Sequence, residues 1–338
     1  MADPRFFDRL GPLSLQEIAA LSGAAISDSG QGGHQVSSAV PIREGTPGAL
    51  SYADNALALG DGSLQGVAVI VTDALANTAA GLGAIILTHS APRTAFARAL
   101  AALAAPRSAA STQRIHETAE IAPDAVIAAT ASIGPDARIA DRVRIGPGSV
   151  IGPGCHIGAG TIIGANVTVL CSDIGADCNI LSGAVIGEAG FGIAVSDSGT
   201  IDIPHMGQVE IADKVTIGAN SCVDRGLFGP TRIGEGTKID NLCHIGHNCT
   251  VGRNVVMAAY GGISGSCVIE DGVMMGGRVG THDHITLHAG ARIGGNSAVS
   301  RNVPAGETWL GSPAQPIENE MRQIAALRRL MRATRKKK

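Results

Sequence analysis

The sequence predicts a mainly β fold, a parallel β-helix of hexapeptide repeats with a small α/β domain before it and an α-helix after it. Three observations predict it. Aliphatic residues recur every six positions: 121, 127, 133, 139, 145, 151, 157, 163 and 169 are eight isoleucines and a valine. Glycine supplies 46 of 338 residues without collagen's three-residue period, which suits an ordered array of tight turns. Only eight residues are aromatic (five Phe, two Tyr, one Trp), as a narrow coil with little room for rings demands.

Counting on from Ile121 defines the frame. It slips by one residue and resumes at 174, 180 and 186. A 24-residue interruption, "GEAGFGIAVSDSGTIDIPHMGQVE", precedes 211, 217 and 223. After a second slip the series runs from 233 to 299, with Thr281 its one non-aliphatic member. Three hexapeptides make one triangular coil, so residues 18 apart stack at the inter-strand spacing of about 4.8 Å. Taking each aliphatic as position zero, Cys155, Cys178, Cys243, Cys249 and Cys267 fall at position four, which shares the inward parity of zero. They read as small core residues rather than ligands, and no CxxC pair suggests zinc or redox chemistry.

Residues 1–112 lack the period. Ser14 and Glu17 form a capping box before a short helix, "GVAVIVT" and "GAIILT" read as buried strands, and "PRTAFARALAAL" reads as an amphipathic helix. This is an α/β domain. Residues 113–306 are the β-helix, and residues 307–338 are a helical extension. In the extension, Ile317, Met321, Ile324, Leu327 and Met331 lie on one narrow coiled-coil stripe, expected to pack against copies of itself or against the β-helix. Basic residues dominate from Met321 onward. Lys336–Lys338 read as a solvated, frayed end, while Arg322, Arg328, Arg329 and Arg332 could aim the helix at an acidic partner.

A net charge of -3 gives no pull toward nucleic acid or membrane. The opening segment has no uninterrupted apolar run of signal type, and no window reaches the roughly 18 apolar residues of a membrane span. A cytoplasmic protein without transmembrane segment, metal or cofactor is expected.

The stretch "IDNLCHIGHNCTVG" places His244 and His247 inside the repeat. His247 is at position two and faces outward. Eighteen residues on stands Gly265, and eighteen further Asp283, inside "THDHITLH". An imidazole with a bare glycine above it can act as general base beside an accessible N–H for a developing oxyanion. His244, at position five, lies nearer a corner. Two other readings compete for His247: a polar residue that caps a turn, and a zinc ligand shared between subunits.

Several motifs together resemble the UDP-3-O-acylglucosamine N-acyltransferases of lipid A biosynthesis: "DNLCHIGHN", "AAYGGISGS", "VIGEAGFGIA", "VDRG", "GSPAQP" and the N-terminal "LSYADN". The likeness runs along essentially the whole chain. It implies a left-handed β-helix and transfer of an (R)-3-hydroxyacyl group from acyl carrier protein to the 2-amino group of UDP-3-O-acylglucosamine. It implies that His247 is the base and Gly265 the oxyanion donor. It places Asn248 beside the base, Asp240 as an orienting acid, and His284 near the sugar nucleotide's phosphate. Tyr52 and Asn55 match positions that hold uracil in that family, whereas Ala58 and Ala189 depart from its aromatic and acidic residues. A homotrimer is implied, and geometry agrees, since a prism without a cleft needs a neighbour to build a pocket. Arg301, Arg322, Arg328 and Arg329 then become contacts for the acidic carrier protein. Residues such as Ala298 and Ser300 could floor an acyl groove. An acetyl-CoA-dependent amino-sugar N-acetyltransferase and a non-catalytic sugar-nucleotide or carrier-binding scaffold remain as alternatives.

Overall fold

Each hexapeptide is just long enough for a two-residue strand and a turn, and the chain repeats that unit in a computed structural model that describes residues 2–109, 113–197 and 199–335. The Lys336–Lys338 tail lies outside the described residues, as does the side chain of Arg332. Residues 18 apart do stack: Glu120–Ile121 pairs in parallel with Arg138–Ile139, and that strand with His156–Ile157. The outward residue of each strand donates its N–H one coil up, as Arg138 does to the Cys155 carbonyl at 2.8 Å. Three sheets result, parallel throughout except for the last pair of the second. A first face of nine strands starts at Glu120–Ile121, a second of eleven at Val126–Ile127, and a third of nine at Ser132–Ile133.

Inside the coil the aliphatic column is buried from Ile133 onward, and all five position-four cysteines are buried with it. Burial pushes the Cys155 thiol up to about 12, so it remains a protonated core group. Small polar residues at the same position serve the backbone. The Ser149 hydroxyl donates to the Gly164 carbonyl at 2.7 Å and accepts from the Val167 N–H at 3.1 Å. Thr281 is explained the same way, for its hydroxyl accepts the Ser264 N–H at 3.0 Å. At the corners the chain turns through left-handed residues, commonly Asn, Asp or Gly, such as Asn248 at φ 60° and Gly154 at φ 66°.

The interruption and the second slip leave the coil, whereas the first slip, before Ser172–Ile174, stays within it. After the strand Val185–Ala189 the interruption forms an antiparallel hairpin, Ile193–Ser196 with Gly199–Asp202. Ala189–Gly207 and Leu227–Gly229 cluster with Met1–Ser108 as one compact unit, and the remainder forms the second. The first unit holds a five-stranded sheet in the order Ala25–Ile26, Ile85–Thr88, Ala68–Val71, Ala49–Ala53, Ser38–Ala39, parallel except for its first pair. Helix α1 (Leu15–Ser22) begins with the predicted Ser14–Glu17 capping box. Helices α2 (Ala56–Leu59), α3 (Asp73–Gly81) and α4 (Pro92–Leu103) follow, with α4 on the predicted amphipathic segment.

At its far end the coil runs on to Thr308–Gly311, where Trp309 lies over Ile293 as a lid on the core. Helix α5 (Ile317–Arg335) follows an antiparallel turn of strand, Ala314–Pro316. Its apolar stripe is largely uncovered within one chain: Met321, Leu327 and Met331 are each more than half exposed. Among the described residues no helix is long and apolar enough to cross a membrane.

Candidate active site

One corner of the coil, where the third face ends, collects the candidate groups. His247 and Asn248 form the turn after the strand His244–Ile245, and Ser264–Ser266 and His282–His284 form the turns one and two coils above. The backbone sets this stack. Ser266 donates its N–H to the His247 carbonyl at 2.8 Å, and His284 donates to the Gly265 carbonyl at 3.1 Å. Below, Asn248 donates its N–H to the buried Thr231 hydroxyl at 2.8 Å.

The imidazole of His247 lies outside the core, half-buried, flat against the next coil. His247 Nδ1 is 3.1 Å from Asn248 Oδ1. With that amide oxygen as acceptor the ring proton sits on Nδ1, and Nε2 is the basic nitrogen. Gly265 makes the seat: a Cβ there would stand 2.7 Å from Nε2 and 2.8 Å from Cε1 of His247. Only glycine lets the ring approach. Among the described residues no protein acceptor takes the Gly265 N–H. Its neighbour Ser264 is pinned twice by Thr281, through its N–H and through its own hydroxyl to the Thr281 carbonyl at 2.6 Å.

His244 is not at a corner. It belongs to a strand, in register with Cys222 below and Gly262 above, because position five immediately precedes the core aliphatic. Its Nε2 is 3.4 Å from Oδ2 of Asp224, whose side chain is only 11% exposed. Burial raises that carboxyl above its ordinary range, against the pull of His244, His247 and Arg225. Arg225, buried alongside, donates to the Gly187 carbonyl at 2.8 Å. Sequence reasoning quoted "VDRG" yet assigned Asp224 no role. The available signal was an acid one position after the core aliphatic, in a third-face column that otherwise holds Gly134, Gly152, Leu170, Gly187, Gly246, Ser264, His282 and Ser300.

The other candidates are dispersed. Asp240 sits at the preceding corner, at the opposite end of the His244–Ile245 strand from His247. Its carboxylate accepts the Asn241 N–H at 2.7 Å and the Ala259 N–H at 3.2 Å. His284 is exposed in the turn above Ser266. The Arg301 guanidinium lies 5.0 Å over the Trp309 ring, and Arg322 reaches Glu318 of its own helix at 3.4 Å. Arg328 and Arg329 are exposed on α5. In the N-terminal unit the half-buried Tyr52 packs its ring 4.9 Å from that of Phe96, and burial pushes its phenol up. Asn55 caps α2, its side-chain oxygen accepting from the Ala58 N–H at 2.8 Å. Ala58 itself packs on the sheet's apolar core.

A parallel coil of hexapeptides with an imidazole on its outer corner is the frame of a hexapeptide-repeat transferase. The family model described as bacterial transferase hexapeptide (six repeats) matches residues 136–171 and 230–265, the second stretch spanning His247 and ending on Gly265. A UDP-3-O-acylglucosamine N-acyltransferase of Maricaulis maris is 56% identical over 98% of this chain and 97% of its own. One from Caulobacter sp. strain K31 is 50% identical over 97% of each chain. Among solved structures, a UDP-N-acetylglucosamine acyltransferase from Campylobacter jejuni overlays 60% of this chain and 73% of its own, with TM-score 0.48 and 25% identity. The chain belongs to the UDP-3-O-acylglucosamine N-acyltransferase family and is an N-acyltransferase.

Proposed function

We propose that this chain transfers an (R)-3-hydroxyacyl group from the thioester of acyl carrier protein to the 2-amino group of UDP-3-O-acylglucosamine. The reaction is a step of lipid A biosynthesis, carried out by a cytoplasmic homotrimer. One observation carries the reading: the His247 ring rests against Gly265, whose N–H has no acceptor among the described residues. His247 Nε2 takes a proton from the sugar's amine as nitrogen attacks the thioester carbon, forming the C–N bond. The Gly265 N–H receives the oxyanion. The C–S bond then breaks, and the departing thiolate takes the proton from the imidazolium.

Other residues bind rather than react. The Asn248 amide holds the tautomer, since its oxygen accepts from Nδ1. His284, one turn above Gly265, is placed for the anionic part of the acceptor, and Tyr52 and Asn55 serve its uridine. Asp240 braces the neighbouring turn. Arg301, Arg322, Arg328 and Arg329 form the basic surface offered to the acidic carrier protein. The test is single-turnover transfer with purified acyl carrier protein loaded with a 3-hydroxyacyl chain. Product amide from the wild type and none from His247→Ala is the expected result. Retention of more than about a tenth of the activity by the variant removes His247 as base, and preference for acetyl-CoA as donor removes the carrier protein.

A further inference from the structure

We propose that Asp224 is a positioning residue for the acyl-transfer base: it holds the His244 ring on the third face and sets a buried negative charge beside His247, where the imidazolium forms. The inference rests on the reading of His247 as base.

Asp224 occupies an unusual place. Most strands of the coil are two residues long, but Cys222–Arg225 continues for four, just before the second slip in the frame. On the third face four other coils carry glycine one position after the core aliphatic, and the rest carry Leu170, Ser264, His282 and Ser300. A Cβ at Gly134 would stand 2.8 Å from the Pro153 nitrogen, and one at Gly246 would stand 2.8 Å from the Gly265 nitrogen. At 224 the stacking partner lies 22 residues on, across the second slip, and the position holds a carboxylate. It meets charge on every side. Arg225 and Cys222 flank it on its own strand, His244 and His247 belong to the coil above, and Glu188 to the coil below. Arg225 is already engaged with the Gly187 carbonyl.

A fold-stabilising ion pair is the competing explanation, and the energetics oppose it. The carboxyl stays above its ordinary range even with two imidazoles and a guanidinium attracting its charged form, so burial wins. Keeping this group costs the fold something. Its benefit belongs to the site, where a fixed charge beside an imidazole favours the protonated state reached midway through transfer.

The test is Asp224→Asn in the full-length enzyme, read as kcat, acceptor KM and the pH profile of kcat/KM. Removing a negative charge next to the base makes it a weaker base. The acid limb therefore moves to lower pH by about half to one unit, kcat falls about three- to tenfold, and KM changes less than about twofold. Asp224→Glu restores the charge and returns the limb toward its original position. An unmoved limb in Asp224→Asn overturns the proposal, whether activity survives or falls along with thermal stability. Failure of the base assignment is read separately, from activity remaining in His247→Ala.

Discussion

The corner that carries His247 and Gly265 also exists in the lowest coils, where it carries Pro135 and Pro153. The backbones match. Gly154 donates to the Pro135 carbonyl at 2.9 Å, as Ser266 donates to that of His247 at 2.8 Å, and the residues that follow turn through φ 58° at Asp136 and 60° at Asn248. Below, pyrrolidine rings close the corner with groups that neither titrate nor donate. Above, an imidazole lies on a bare glycine, and a buried acid, Asp224, stands one coil below. The stacked turn is thus indifferent to chemistry. Occupancy of the corner, and the break in the repeat next to it, make the site.

The sharpest way to break this comparison is His247→Ala, expected to lower transfer by about 10²- to 10⁴-fold. Circular dichroism and size-exclusion elution should remain as in the wild type, since the ring lies outside the core. Glycines test it next. In Gly265→Ala the new methyl meets the His247 ring, so the ring must move, with an expected loss of about 10²-fold in kcat and little change in melting temperature. In the lower coils Gly146→Ala meets the Gly164 carbonyl at 2.5 Å, and backbone must yield instead. That variant should lose about 1–3 kcal/mol of stability in denaturant melts, with kcat unchanged in the folded fraction.

Smaller effects sharpen the picture. Thr281→Val keeps the shape but removes the acceptor of the Ser264 N–H, so activity should fall about three- to tenfold with a stability loss of about 1 kcal/mol. The least conspicuous effect is in stability against pH. Because the Asp224 carboxyl is raised in the folded state, the native protein holds more protons than the unfolded chain at pH values just above the ordinary carboxylate range. Its contribution to stability declines as pH rises through that window. Asp224→Asn should therefore melt about 1–3 °C higher than wild type near pH 7, a gap that closes as the pH falls to about 4. A lower melting temperature near neutrality would show that the acid holds the fold together.

Much of the site was legible because the repeat does geometry in advance. Counting by eighteens put Gly265 over His247, and the backbone ladder confirms that stacking. Parity put the five cysteines inside, where they are. His244 was read toward a corner and lies on a strand, a difference of one position in a unit only six long. Asp224 was passed over because its partner is 22 residues away, across an irregular loop through which no period can be counted.

By itself the sequence determined the coil, its three faces, which side chains point in, and the vertical neighbours of every regular turn. Those follow from hydrogen bonding and sterics repeated identically at each rung. Only the tertiary structure decided which ring nitrogen faces the glycine, how closely Asp224 approaches His244, and how Tyr52 is buried against Phe96. Such distances depend on rotamers and on segments that leave the repeat, so no local rule supplies them.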